Sequence, residues 1–414
     1  MKLQIVKGMR DLIDQDARVF RHLEEQARQI FALYGFEEIR TPILEMAELF
    51  THGIGEDTDI VGKEMYLLED RRGQQLAMRP EGTAAVVRHV VQNQVLNHKK
   101  QAKYYYFGPM FRYERPQKGR FRQFHQIGVE CFGVEGPVAD LEMFLMLQQY
   151  FAAINLKDVG FQINSIGCMD ESCRPLYKQN LVTYLKSKQD DLCPDCNRRL
   201  DTNPLRVLDC KNETCKEITD GAPHSADCLC SECHEHFEEL KQLLDEHQVA
   251  YECSHRLVRG LDYYSKTVFE VYSANLGAQS AAGGGGRFDN LFEQYGQKKV
   301  PSIGFALGLD RLALLCPPVE ATPPGVFVLG FETAPVSKLV AQVRELGIGC
   351  SYDPAGSSMK SQFRQADKAG VRFVAILGED EIKSGVVTLK DFQTGEQEKL
   401  SPQAAVERIK EALS

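Results

Sequence analysis

The chain has 414 residues, 43% of them hydrophobic and 26% charged, a balance that excludes a disordered chain and favours two or three folded domains over one. Its net charge of −9 argues against bulk electrostatic adhesion to nucleic acid and leaves any such partner to a local basic face. No run reaches the roughly 18 apolar residues needed to cross a bilayer, so no membrane association is expected.

The opening residues, MKLQIVKGMRDLIDQD, turn charged before a long apolar run can form. No secretory signal is therefore expected, and the expected location is cytoplasmic. Residues 11–35 place Phe20, Leu23, Ala27, Ile30 and Tyr34 at helical spacing and stop at Gly35, a favoured helix terminator. FEEIRTPILE follows, with Pro42 inside an extended run, and reads as an edge strand or the approach to one. RPEGT, residues 79–83, sits at the start of the helix-like run AAVVRHVVQ. Glu81 and Thr83 there are partly a helix N-terminal signal, and they also offer a carboxylate that can receive an ammonium group.

Residues 104–134 read as two antiparallel strands joined by a loop rich in Arg, Lys, Gly and Pro. Phe111 and Tyr113 alternate with Arg112 and Glu114, and Ile127, Val129 and Cys131 alternate with Gln126, Gly128 and Glu130. One face is apolar; the other carries charge. That charged face is either solvated or turned toward a ligand, since a buried carboxylate needs a partner. The loop tilts the balance, because Arg115, Lys118, Arg120 and Arg122 crowd into eight residues. Guanidinium groups bind phosphate oxygens through paired planar hydrogen bonds, and Phe121 and Phe124 could stack an adenine. An RNA backbone would account for the same charges.

Between residues 169 and 250 the texture changes to a helix-like run, the stretch CPDCNRRLDTNPLRVLDCKNETC and an acidic helix, which marks an insertion. LVRGLDYYSKTVFEVY, residues 257–272, resumes strand-like alternation with polar groups crowded at its head. The glycine run at 283–286 lacks the GKS or GKT ending of a P-loop and the order of a dinucleotide fingerprint; it suits a close approach of backbone to a ligand or another strand. PSIGFALGLDRLALL reads as a helix with Gly304, Gly308 and Arg311 on one side. CPPVEATPPG, residues 316–325, is a proline-rich linker, and the strand and helix patterns beyond it alternate as in a small α/β domain.

Taken together, TPILE near 42, FRYERPQKGRFRQFHQ at 111–126 and GFALGLDRL at 304–312 resemble the signature motifs of class II aminoacyl-tRNA synthetases, in order. LVRGLDYY and AAGGGGRFDNL resemble the two stretches peculiar to the histidyl-tRNA synthetase family, and the likeness covers essentially the whole chain. The resemblance implies an α+β fold: a class II catalytic domain, mostly antiparallel sheet flanked by helices, at 1–168 and 251–318. It further implies a Cys-rich insertion at 169–250, a linker at 319–325 and an α/β anticodon-binding domain at 326–414.

The implied reaction is ATP-dependent ligation of L-histidine to tRNA(His) through a histidyl-adenylate, with Mg2+ accompanying ATP and a homodimer as the assembly. By the same resemblance, Arg112 holds the α-phosphate, Glu114 meets the adenine amino group, Phe124 stacks on the ring, and Arg120 and Arg311 grip the β- and γ-phosphates. Glu81, Thr83 and Gln126 receive the histidine amino group, Glu130, Tyr263 and Tyr264 line the imidazole pocket, and Arg259 lies between the substrate carboxylate and the α-phosphate. The rival reading is a histidine-sensing regulatory paralogue without catalysis. Such relatives usually lose the C-terminal domain and these arginines, which this chain keeps.

Thirteen cysteines in a chain expected in a reducing compartment argue against disulfides, and ten of them fall between Cys168 and Cys253. Cys193 and Cys196, with Cys210, Cys215, Cys228, Cys230 and Cys233, contain pieces of zinc-ligand spacing. They do not form one clean pair of knuckles, and the resembled family does not generally require zinc. A structural zinc is therefore an option, not the favoured reading.

Overall fold

The structure is a computed structural model describing residues 3–55, 58–276 and 281–413. It divides into two compact units, Met1–Val319 and Glu320–Ser414.

The strands of the first unit, in chain order, are β1 (Glu37–Glu38), β2 (Leu44–Met46), β3 (Tyr66–Glu69), β4 (Gln75–Met78), β5 (Ala102–Phe111), β6 (Gln123–Phe132), β7 (Gly160–Ser165), β8 (Tyr251–Cys253), β9 (Ser265–Tyr272), β10 (Ala281–Arg287) and β11 (Ser302–Gly308). β2, β4 and β3 form a small antiparallel sheet; the others form an eight-stranded sheet in the order β1-β5-β6-β11-β10-β9-β7-β8. Only the two ends of that sheet are parallel, β1 to β5 and β7 to β8. The expected mostly antiparallel sheet is therefore present.

Period two decides the two faces of this sheet. Ile127, Val129 and Cys131 of β6 and Phe305 and Leu307 of β11 enter the core beneath the helices Asp14–Leu33 and Val138–Ala153. The first helix buries Phe20, Leu23, Ala27 and Ile30 as its spacing predicts, and Gly35 just beyond it has φ +76°. The alternate residues face the other way, and it is there that the site forms.

Two sequence expectations need correction. Residues 302–308 are strand β11, and the helix begins only at Leu309 and runs to Leu315. The run is apolar on both sides because β11 is a central strand, and such a run cannot be told from a helix by periodicity. Secondly, β5 ends at Phe111, so Arg112 and Glu114 belong to the connection between β5 and β6 and not to a strand face.

Arg287, closing the glycine strand, is 1% exposed and forms an ion pair of 2.7 Å with Asp140, which also meets His236 at 3.2 Å. These contacts join β10 to the helix Val138–Ala153 and to Ser231–Glu246, the helix returning from the 169–250 segment. That segment carries short helices over Arg174–Lys186, Pro194–Thr202 and Glu213–Asp220, packed on Tyr177, Leu181, Leu185 and Leu200 together with several cysteines.

The second unit contains β12 (Val326–Gly330), β13 (Cys350–Tyr352), β14 (Phe373–Leu377), β15 (Val387–Asp391) and β16 (Gln397–Leu400), ordered β13-β12-β14-β15-β16. The first three of that order are parallel and the last two antiparallel. Helices Thr333–Glu345, Met359–Ala369 and Pro402–Leu413 complete the expected α/β pattern.

Candidate active site

Strand register builds the floor of the site. Tyr106, Gly128, Ala306, Gly284 and Glu270 stand side by side across β5, β6, β11, β10 and β9. The three central members have no side chain or only a methyl group, so the sheet carries a trough. Each glycine is needed there. A Cβ at Gly128 would strike the Tyr106 ring, one at Gly304 would strike the Glu130 carboxylate, and one at Gly284 would come within 2.7 Å of the Arg259 guanidinium.

Glu130, paired in register with Gly304, is 1% exposed. Its Oε1 accepts a hydrogen bond from the Thr83 hydroxyl at 2.6 Å and one from Tyr106 at 3.4 Å, while Oε2 has no partner among the described residues. Burial drives this carboxyl well above its ordinary range, against the pull of the Thr83 hydroxyl and with the like charge of Glu81 adding to the rise. Glu81 is also buried, and its pKa is raised by that burial although two backbone N–H groups oppose the rise. Those two are Thr83 at 2.7 Å and Ala84 at 2.9 Å, so Glu81 caps the helix Thr83–Gln92.

Tyr263 and Tyr264 are both buried, with ring centroids 4.8 Å apart. Arg259 reaches Glu270 at 3.1 Å and lies 5.8 Å from the centre of the Tyr264 ring, leaving its Nε without a partner among the described residues. Gln126 likewise has a buried, unpartnered Oε1.

The remaining cations converge from the β5–β6 connection and a helix. Arg112 donates Nε to the Pro80 carbonyl at 2.9 Å and sits 5.2 Å from the Phe124 ring centre. Arg120 approaches Glu114 at 2.8 Å, and Arg311 donates to the carbonyls of Ala281 and Gly119. Burial and the neighbouring charge of Arg120 hold Arg311 below the usual guanidinium range. These cations would gain from a polyanion.

All twelve residues expected at the substrate site, from Glu81 to Arg311, line this one cavity. Cys193 and Cys196 do not line it. They lie in the 169–250 segment beside Cys210 and Cys215.

Tyr106, Glu270 and Asp310 also line the cavity, and the sequence analysis assigns them no role. Tyr106 was hidden in a run of three tyrosines. Glu270 is the charged alternate in the strand pattern TVFEVY, and that alternation was its signal. Asp310 precedes Arg311; it accepts from the His125 backbone N–H at 2.8 Å and from Arg10 at 3.0 Å, fixing the start of β6.

A mostly antiparallel sheet whose floor meets arginines from a hairpin connection and from a strand–helix junction defines the catalytic core of a class II aminoacyl-tRNA synthetase. A family model described as Histidyl-tRNA synthetase matches residues 8–312, and one described as Anticodon binding domain matches 326–412. The chain is 46% identical to the histidine–tRNA ligase of Thermodesulfovibrio yellowstonii, covering 99% of each, and 46% identical to that of Aquifex aeolicus, covering 97% of this chain and 99% of that one. Among solved structures, the apo histidyl-tRNA synthetase of S. aureus matches with a TM-score of 0.81 and 32% identity, over 99% of this chain and 100% of that one. The chain belongs to the histidyl-tRNA synthetase family. Its activity is ATP-dependent ligation of histidine to tRNA, and no observation favours the non-catalytic regulatory reading.

Proposed function

We propose that the cavity activates histidine before tRNA takes part. An oxygen of the histidine carboxylate attacks the α-phosphorus of ATP, the bond to the bridging oxygen breaks, and pyrophosphate leaves with histidyl-adenylate remaining. The terminal ribose hydroxyl of tRNA(His) then takes the acyl group and AMP departs. This chemistry asks for positioning and for stabilisation of charge developing on phosphate oxygens, which guanidinium groups supply without covalent participation. Arg112 and Arg259 serve at the α-phosphate, Arg120 and Arg311 at the outer phosphates that Mg2+ accompanies, and Glu114 and Phe124 at adenine.

The observation that carries the reading is that the unpartnered Glu130 Oε2, Gln126 Oε1 and Arg259 Nε line the same cavity as the three other arginines. Buried polar atoms without partners are costly, and a ligand that satisfies them recovers that cost. Neutral imidazole has a donor nitrogen on one edge and an acceptor on the other. Glu130 faces the donor, and the hydroxyls of Tyr263 and Tyr264 provide donors for the acceptor. Glu81 keeps acceptor capacity for the α-ammonium group even after capping the helix, because a carboxylate accepts about four hydrogen bonds, and the Thr83 hydroxyl, which donates to Glu130, keeps its oxygen lone pairs beside it. A site of this type rejects analogues lacking the bonding groups by about 10⁴-fold, which removes the need for an editing domain.

We further assign 1–168 with 251–318 to catalysis, 169–250 to an insertion and 326–414 to anticodon recognition, in a cytoplasmic homodimer. The deciding experiment is ATP–pyrophosphate exchange with each amino acid in the absence of tRNA, followed by charging of total tRNA. Exchange with histidine alone supports the reading. Exchange that requires tRNA, or that another amino acid supports equally, overturns it.

A further inference from the structure

Outside the cavity, the fold gathers eight cysteines into two groups of four. Cys168, Cys173, Cys230 and Cys233 form one group and Cys193, Cys196, Cys210 and Cys215 the other, with the sulfurs of each group all within 4.8 Å of one another. Cys168 and Cys230 have sulfurs 3.8 Å apart, and Cys193 and Cys210 have sulfurs 3.9 Å apart. A tetrahedral Zn2+ with Zn–S bonds of about 2.3 Å requires sulfurs about 3.8 Å apart along each edge. A disulfide would draw two sulfurs to about 2.05 Å and strand the other two. A four-iron cluster would need its sulfurs spread around a much larger core.

The pairing has an order that explains why the sequence pattern looked broken. Each group joins a C-x4-C pair to a C-x2-C pair, and the second group is nested within the first: Cys168 and Cys173, then Cys193 and Cys196, then Cys210 and Cys215, then Cys230 and Cys233. In each C-x2-C pair the first cysteine stands immediately before the first residue of a helix, Pro194–Thr202 or Ser231–Glu246, where the helix N-terminus favours an anionic sulfur. Independently, backbone N–H groups already point at sulfur: Cys168 and Cys230 donate to the Cys173 sulfur at 3.4 Å, and Cys193 donates to the Cys215 sulfur at 3.3 Å. Such N–H···S bonds are the supporting contacts that thiolate ligands of a metal use.

We propose that the insertion, together with Cys168 at its border, holds two structural Zn2+ ions, one at Cys168, Cys173, Cys230 and Cys233 and one at Cys193, Cys196, Cys210 and Cys215, and that they position the loop carrying Tyr263 and Tyr264. The outer site ties the departure of the insertion to its return. It also anchors the helix Arg174–Lys186, whose Arg174 donates to the Tyr264 carbonyl at 2.7 Å. The inner site anchors the helix Pro194–Thr202, after which Asn203 donates to Asp262 at 2.9 Å. Asp262 and Tyr264 flank Tyr263 in the chain, so each metal is mounted on one side of the same loop. The positioning half of the proposal rests on the role of these tyrosines in binding histidine; the metal half does not.

The test uses the full chain purified without chelator. Metal analysis and zinc released to a chromogenic chelator by an organomercurial should both give about two Zn2+ per chain. The double variants Cys193→Ser/Cys196→Ser and Cys230→Ser/Cys233→Ser should each lose one zinc. Should either fail to fold, Co2+ supplied to the growing culture in place of zinc should give parent protein with the intense visible absorption of a tetrahedral thiolate site. Zinc below about 0.2 per chain, iron in its place, or disulfides among these cysteines in mass spectra of unreduced protein would overturn the metal sites. For positioning, loss of one zinc should raise KM for histidine about 10-fold while KM for ATP stays within about 2-fold. An unchanged KM for histidine in a zinc-depleted, folded variant overturns that half. If the parent chain fails to activate histidine at all, the assignment of the cavity fails while the zinc content still reads independently.

Discussion

The cavity and the cysteine-rich insertion hold reactive groups in place by opposite means. In the cavity, position is set by backbone pairing across β6, β11, β10 and β9, whose register is held by the apolar alternates packed on the opposite face of the sheet. The chain can therefore install glycines for space and leave Glu130 Oε2 and Arg259 Nε unpartnered without losing the scaffold. In the cysteine-rich segment 169–250, short helices share a small core, and among the described residues no strand passes through it. There the side chains themselves must provide the cross-links, and cysteines gather where a sheet would otherwise have done the work. Where the backbone carries the architecture, function is free to be costly.

The sharpest way to test this contrast is to remove charge from the cavity. Arg259→Ala should leave secondary structure and melting temperature nearly unchanged, because Arg259 precedes β9 in the chain and meets that strand through the Glu270 side chain rather than through the backbone ladder. Histidine-dependent ATP–pyrophosphate exchange should fall by about 10²–10³-fold. Exchange within a few-fold of the parent would mean that Arg259 is scaffold after all.

Glu130→Gln comes next and should separate stability from function. The folded-state pKa of Glu130 lies above its ordinary value of 4.5 because burial disfavours the charged form. A raised folded pKa means that the folded chain holds the proton more tightly than the unfolded chain. The stability this group contributes is present below the unfolded carboxyl pKa and is lost as pH rises through the folded value. Glutamine does not titrate, so the variant should gain melting temperature relative to the parent, by an increment that grows as pH rises above the ordinary carboxylate range. At the same time KM for histidine should rise by about 10²-fold. A variant less stable than the parent at neutral pH would show that Glu130 is satisfied without substrate.

Gly304→Ala probes the floor itself. Its methyl group meets the Glu130 carboxylate and the Val129 carbonyl. Overpacking of this kind costs about 1–3 kcal/mol, read as a fall in melting temperature, and displacement of Glu130 should raise KM for histidine by about 10-fold with KM for ATP less affected. Equal changes in both constants would place the trough under the nucleotide instead.

What the sequence discloses follows the same division. Glu130 is legible because it is a carboxylate within a strand pattern, Arg259 because polar groups crowd the head of the strand that follows it, and the basic residues of the hairpin connection because they crowd into eight positions. The amphipathic helix Asp14–Leu33 and the alternation of the C-terminal unit are legible because one face is solvated. β11 was hidden because a central strand is apolar on both faces, and its continuation into a helix at Leu309 let the whole run pass for one helix. β16 has no apolar run to announce it, being mostly exposed at the sheet edge. The nested thiol groups lay beyond a linear pattern, since Cys168 meets Cys230 across 62 residues. Glu81 fits both a helix N-terminal signal and an ammonium acceptor in the sequence, and the geometry gives it the capping bonds explicitly.

The smallest expected effect falls where the two regions touch. Asn203→Ala removes one hydrogen bond, the 2.9 Å contact to Asp262, and touches no cysteine. Asp262 is held above the usual aspartate range by burial, with Asn203 the leading group opposing that rise. Losing the bond should therefore raise its pKa further and cost about 1.5–3 kcal/mol, the usual range for a bond to a charged group. If rigidity passes from the insertion into the loop, KM for histidine should rise about 3-fold with kcat and zinc content unchanged. A loop that holds its own shape would show no change in KM, and the insertion would then be a stapled appendage whose order ends at its own border.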